Sequence, residues 1–220
     1  TAGKPCIVEA DGDIAQVAAI TQAVGTPVVF ESGNTAYIDS AYDSNAQKVV
    51  IAYQDIGNSG YGTAVVGTVD PSDNSISFGT PVVYESANAS WTAMTYDSNS
   101  QKVAIGYMDA GNSNYGTGIV GTVSGTSISF GSASVFESAR ADNITATFDS
   151  SNNKVVFSYQ DDGNSGYGTS VVGTISGTSI SFGTPVVFES ASVEFIDSTF
   201  DSSNNKVVIV YQDEGNSSHG

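Results

Sequence analysis

KVVFSYQD, Lys154 to Asp161, is the stretch whose reading decides the fold. Successive side chains of an extended chain point to opposite faces, so Val155, Phe157 and Tyr159 share one face and Val156 and Ser158 the other. The same two-faced strand occurs as KVVIAYQD (Lys48 to Asp55), KVAIGYMD (Lys102 to Asp109) and KVVIVYQD (Lys206 to Asp213). One face always holds a large triplet, Val-Ile-Tyr or Val-Phe-Tyr. The other is mostly small, with Ala52, Ala104, Gly106 and Ser158. A strand apolar on both faces is covered on both, and large against small suits sheets stacked face to face around a ring.

Outward from this strand the whole chain repeats. GTPVVFES begins at Gly25, returns as GTPVVYES at Gly79, as GSASVFES at Gly131 and as GTPVVFES at Gly183, at separations of 54, 52 and 52 residues. The two extra residues lie in a turn, DPSDNS (Asp70 to Ser75), where later copies have SGTS (Ser124 to Ser127, Ser176 to Ser179). An indel confined to a turn marks the unit as structural. In the third copy the segments ITATFD, KVVFSYQD, TSVVGTIS and SISFGTPVVFES, separated by Asn, Gly, Asp and Ser, read as four antiparallel strands. A mid-strand glycine recurs in the third segment (Gly67, Gly121, Gly173), marking a bulge or close approach. DIAQVAAITQAV (Asp13 to Val24) reads equally as a short helix or as strand plus link.

A unit of roughly 50 residues with four antiparallel strands predicts an all-β β-propeller blade. The chain then divides into a closing hairpin and link (1–24), repeats 25–78, 79–130 and 131–182, and a partial repeat 183–220. KPCIVEA and IAQVAA, within Lys4 to Ala19, form a hairpin expected to complete the partial repeat, remove its exposed edges and close four blades. The alternative is an open stretch of a longer array.

Composition excludes several function classes. Of 220 residues 23 are acidic and 6 basic, a net charge of −17, and Arg140 is the one arginine. Nucleic-acid binding by counterion release needs a stripe of Lys and Arg. No apolar run approaches the roughly 18 residues of a membrane span. One cysteine, Cys6, permits no internal disulfide and leaves the redox compartment open.

Three polar motifs recur. DIGNSGYGT from Asp55, DAGNSNYGT from Asp109, DDGNSGYGT from Asp161 and DEGNSSHG from Asp213 offer one or two carboxylates per loop. Ca²⁺ wants about six to eight oxygens, so a structural turn capped by Asp and Asn is favoured over a metal site, and no cofactor is expected. The loop is similar to the Asp-box turn of sialidase-type propellers, D-x-G-x-T-W, without its Trp. The hairpin turns DSNAQK (Asp43 to Lys48), DSNSQK, DSSNNK and DSSNNK suggest a local Asp–Lys ion pair. Glu31, Glu85, Glu137 and Glu189 would form a circle of like charges facing solvent.

The copies disagree between the FES phrase and the next strand: GNTAYID, ANASWTAM, ARADNITA and ASVEFIDS. One position there holds Tyr37, Trp91, Asn143 and Phe195, and Arg140 is close by. Read as inter-strand loops on a rigid scaffold, these residues are the candidate binding site, with Trp91 the best candidate for exposure. Aromatics beside Asn and Asp suit stacking on sugar rings. Catalysis finds little support: the one histidine is His219, and most acids recur at equivalent positions, whereas an active site is one asymmetric constellation.

AYQDIGNSGYGTAVVGTV and ISFGTPVVYESA resemble tandem repeats of tail-fibre and other structural proteins of marine bacteriophages, and the opening KPCIVEADGDIAQVA resembles the hairpin that precedes them. That resemblance covers nearly the whole chain and brings no catalytic residues. It implies a non-enzymatic structural or host-binding module on a virion or otherwise extracellular surface. The implied partners are host-surface glycans or proteins and other virion proteins, with self-association allowed. The alternative is a secreted or cell-surface lectin-like adhesin that binds glycans through the variable segments.

Overall fold

A computed structural model of the chain describes residues 24–220, together with the backbone of β1 (Cys6–Val8) and β2 (Ile14–Gln16). The first repeat contributes β3 (Thr35–Asp43), β4 (Lys48–Asp55), β5 (Tyr61–Asp70) and β6 (Ser75–Phe78). The second contributes β7 (Val82–Asp97), β8 (Lys102–Asp109), β9 (Tyr115–Ser124) and β10 (Ser127–Phe130). The third contributes β11 (Ser134–Asp149), β12 (Lys154–Asp161), β13 (Tyr167–Ser176) and β14 (Ser179–Phe182). The fourth contributes β15 (Val186–Asp201) and β16 (Lys206–Asp213). Strands β3 to β16 form one open antiparallel sheet, ordered β16-β15-β13-β12-β11-β9-β8-β7-β5-β4-β3, with β6, β10 and β14 as hairpin partners of β5, β9 and β13.

The chain turns where its sequence allows. In each second-strand hairpin the turn aspartate accepts two backbone N–H bonds, as Asp43 does from Asn45 and Ala46 at 3.0 and 2.9 Å. The residue before each lysine, Gln47, Gln101, Asn153 or Asn205, is left-handed, with φ of 55°, 57°, 54° and 55°. After the second strand the DxGN segment forms one 3₁₀ turn. Asp55, Asp109 and Asp213 accept from its amides, Asp109 from Gly111 and Asn112 at 2.8 and 3.2 Å. These carboxylates therefore serve as turn caps.

Layers stack in the manner the alternation implies. One core cluster joins Val50, Ala52, Ala64 and Val66 of the first repeat to Val103, Ile105, Tyr107 and Ile119 of the second. The other joins Ala104, Met108 and Val120 of the second to Val155, Phe157, Tyr159 and Val171 of the third. The small faces of the first and second repeats thus pack on the large faces of the second and third. At Gly106 a Cβ would lie 2.8 Å from Cε1 of Phe157, so the glycine is required by close approach. Gly67, Gly121 and Gly173 are also points of close approach. A Cβ at Gly173 would lie 2.8 Å from Cδ1 of Ile180.

Several sequence expectations need correction. The closed four-bladed propeller is not formed: the sheet is open, with β3 and β16 at its ends. β1 and β2 do make the expected hairpin, but they pair with each other as a separate two-stranded sheet and not with β16. The helical option for Asp13 to Val24 is excluded at Ile14–Gln16, which is strand; residues 17–23 lie outside the described set. The hairpin lysines form no ion pair with the turn aspartates among the described residues, because those carboxylates are engaged by backbone N–H groups. The ion pairs described are those of Arg140 with Asp142 and Asp162.

The glutamates are not a free circle of charge either. Oε2 of Glu31, Glu85, Glu137 and Glu189 accepts a hydroxyl from Tyr53, Tyr107, Tyr159 and Tyr211 at 3.4, 3.2, 3.0 and 3.2 Å. Burial is the main reason that the hydroxyls of Tyr53, Tyr107 and Tyr159 are pushed up, and the partner carboxylates add to it.

Candidate functional site

The divergent residues lie within strands, not in loops. β7, β11 and β15 each run for 16 residues. The first part of each pairs with the third strand of the preceding repeat, and the remainder with the second strand of its own. Where β7 pairs with β8, Ser90 is opposite Met108 and Ala93 opposite Gly106, three steps against two. The same shift occurs between Ala36 and Asp39, Asp142 and Thr145, and Glu194 and Asp197. One extra residue per strand is a β-bulge, which re-aims a side chain. At each bulge sits the divergent residue, in left-handed conformation: Tyr37, Trp91, Asn143 and Phe195 have φ of 47°, 53°, 49° and 49°.

Such φ values are unfavourable for bulky side chains and more readily adopted by Asn. Only the third copy supplies Asn. Its side chain is anchored, Nδ2 of Asn143 donating to Oε1 of Gln160 at 3.1 Å. The aromatics at the other three bulges are held in a strained backbone by the ladder on both sides of them.

Contacts between repeats bring part of this set together. The rings of Tyr37 and Trp91 lie 5.0 Å apart, tilted by 49°. Arg140 donates from Nε to Asp142 Oδ2 at 2.8 Å and reaches Asp162 at 3.3 Å. The bond to Asp142 is the leading reason that its ionisation is shifted up, with Asp162 and the phenol of Tyr37 adding to it. Trp91 packs against the second core cluster and is half-buried. Among the aromatic members it is the least exposed: Phe195 stands at 73% and Tyr37 at 39%.

Two further residues belong here that the sequence pattern did not single out. Asp39 and Asp197 each lie two residues after a bulge, where the second and third repeats have Ala93 and Thr145. Burial pushes Asp39 upward, the N–H groups of Met94 and Ser40 oppose this, and the carboxylate of Asp197 adds repulsion. Met94 N–H donates to Asp39 Oδ2 at 2.6 Å, and Thr145 Oγ1 donates to Asp197 Oδ1 at 3.4 Å. The signal was present as YID and FID in the first and last copies only. The ensemble can stack a flat apolar ring face and hydrogen-bond polar groups beside it, with aromatics, a guanidinium, an amide and carboxylates.

Among the described residues, no group of three or more His, Cys, Asp or Glu side chains is arranged to hold a metal ion, and no helix is long and apolar enough to cross a membrane. The chain matches no protein-family model and no curated protein.

Proposed function

We propose that the chain is a non-enzymatic attachment and structural module of a virus particle, which engages a host-surface glycan or protein through its bulge side chains. One observation carries this reading: a position at which the repeats diverge in size and chemistry is also the position where β3, β7, β11 and β15 each hold a left-handed residue that redirects a side chain. Strain that persists in an otherwise regular ladder is a pointer to function. The tail-fibre resemblance of the repeats supports placement on a particle surface. A stacked array presenting several weak contacts gains avidity of about 10² to 10⁴ over one contact.

A second reading, a lectin-like adhesin on a cell surface, draws on the Tyr37–Trp91 pair and on Arg140 within reach of Tyr37, a composition suited to sugar recognition. The test compares Phe195→Ala and Tyr37→Ala with the unsubstituted chain on glycan arrays and host cells, at matched folded fraction. Each variant is expected to weaken binding by about tenfold. Unchanged binding by both variants overturns the assignment of the site. Association of the chain with purified particles separates the first reading from the second.

A further inference from the structure

A side-chain amide links consecutive repeats close to the bulges. Gln54 Nε2 donates to Asn88 Oδ1 at 2.8 Å and to Ser90 Oγ at 3.2 Å, and Gln160 Nε2 donates to Ser192 Oγ at 3.1 Å. Between the second and third repeats all three positions change: Met108 stands in the place of Gln54, Arg140 in that of Asn88 and Asp142 in that of Ser90. A thioether has no N–H to donate. Asp142 is 8% exposed, and its Oδ1 is buried without a hydrogen-bond partner among the described residues. One junction of the array is thus chemically unlike its neighbours, as a site must be.

Arg140 takes over this junction. Its Nε and Nη2 both lie 2.8 Å from Asp142 Oδ2, and Nε lies 3.3 Å from Asp162, where the earlier copies have Ile56 and Ala110. The side chain is still 49% exposed, which leaves the two N–H groups of Nη1 for a ligand oxygen. One positive charge is flanked by two negative ones. The nearest lysine along β8, Lys102, begins the strand that carries Met108 near its other end, about 20 Å away at the usual rise per residue. That exceeds the screening length of about 8 Å at physiological salt. The rings of Tyr37 and Trp91, 5.0 Å apart, lie beside this group, with the Tyr37 phenol in electrostatic reach of Arg140.

We propose, resting on the glycan-binding reading above, that Arg140 is the specificity residue of the attachment site and that the glycan it selects is uncharged. Nη1 donates to hydroxyl or carbonyl oxygens of the ligand while the aromatic pair takes the flat face of a sugar ring. A carboxylate or sulfate on the ligand would meet a guanidinium whose charge Asp142 already matches and whose outer flank is Asp162. Among the described groups Asp142 has no other donor, so its charge is compensated by Arg140 alone. Like charges set side by side suppress the wrong partner.

The test places the full chain on an array of uncharged glycans and of their sialylated, uronic-acid and sulfated counterparts, with Asp162→Asn and Arg140→Gln compared at matched folded fraction. The unsubstituted chain is expected to bind the uncharged set about tenfold better. Asp162→Asn removes a counter-charge at a side chain 41% exposed, and it is expected to narrow that ratio by about threefold or more. A merely structural role for Asp162 would lower both sets together and leave the ratio fixed. Arg140→Gln keeps a donor without the charge and is expected to weaken binding of uncharged glycans by about tenfold. Equal or stronger binding of acidic glycans, an unchanged ratio in Asp162→Asn, or unchanged binding by Arg140→Gln overturns this proposal alone. Failure of the unsubstituted chain to bind either set overturns it together with the glycan reading.

Discussion

Tyr107 donates its hydroxyl to Oε2 of Glu85 at 3.2 Å from a ring that is fully buried. The bond ties the second strand of a repeat to the segment that enters it, and it recurs in all four copies. Tyr107→Phe is expected to cost about 1–2 kcal/mol, near the lower end for a bond to a charged acceptor because Glu85 is only half-buried. Urea unfolding of the single variants and of Tyr107→Phe with Glu85→Gln measures it. Additive losses would show that the pair is not coupled.

Gly106 and Val210 hold equivalent places on the small face, yet among the described residues only Gly106 has a following layer against it. Gly106→Val drives atoms into the Phe157 ring and is expected to destabilise by about 1–3 kcal/mol or more. Val210→Thr, at a site 58% exposed, is expected to stay within about 0.5 kcal/mol. Equal effects in thermal melts would contradict the stacking direction.

Phe195→Asn exchanges a strained, exposed aromatic for the residue that the third repeat carries in the same conformation. Relief of left-handed strain is expected to raise stability by up to about 1 kcal/mol, while binding falls. A loss of stability on melting would mean that Phe195 is packed and not presented.

Acid should first strengthen this protein. Burial raises the carboxyls of Asp39, Glu137 and Asp161 above their ordinary values of 3.8, 4.5 and 3.8. A raised folded-state value contributes stability that is fully present below the ordinary value and is lost as pH rises through the folded value. The chain is therefore expected to melt higher near about pH 5 than at pH 7. Asp149 and Asp201, whose turn bonds hold them below 3.8, act oppositely, their contribution fading as pH falls further. A melting temperature that falls steadily from neutrality to about pH 5 would refute this.

Much of the architecture was legible because it rests on local rules. Alternation in KVVFSYQD gave both faces of the second strand, and Asp43 and Asn45 marked its turn. Closure was not legible, since pairing of β1 with β2 or with β16 satisfies the same backbone groups, and alternation does not choose between them. In sequence alone the bulges read as loops. One extra residue breaks the period of two in the same way as an excursion from the sheet, and neither Trp91 nor Phe195 announces a positive φ. Their neighbours Asp39 and Asp197 escaped notice because their significance depends on contacts between repeats.

The close fit at Gly106 and Phe157 has a consequence for the order of the units. Ala52 shares a cluster with Ile105, Gly106 meets Phe157, and Ser158 occupies the same place ahead of Ile209. The largest knob follows the smallest hole, so repeats nearly identical in wording are not interchangeable modules. Transposing the second and third would set Phe157 against Ala52, one methyl too many. A volume code three residues long thereby fixes the sequence in which the layers assemble.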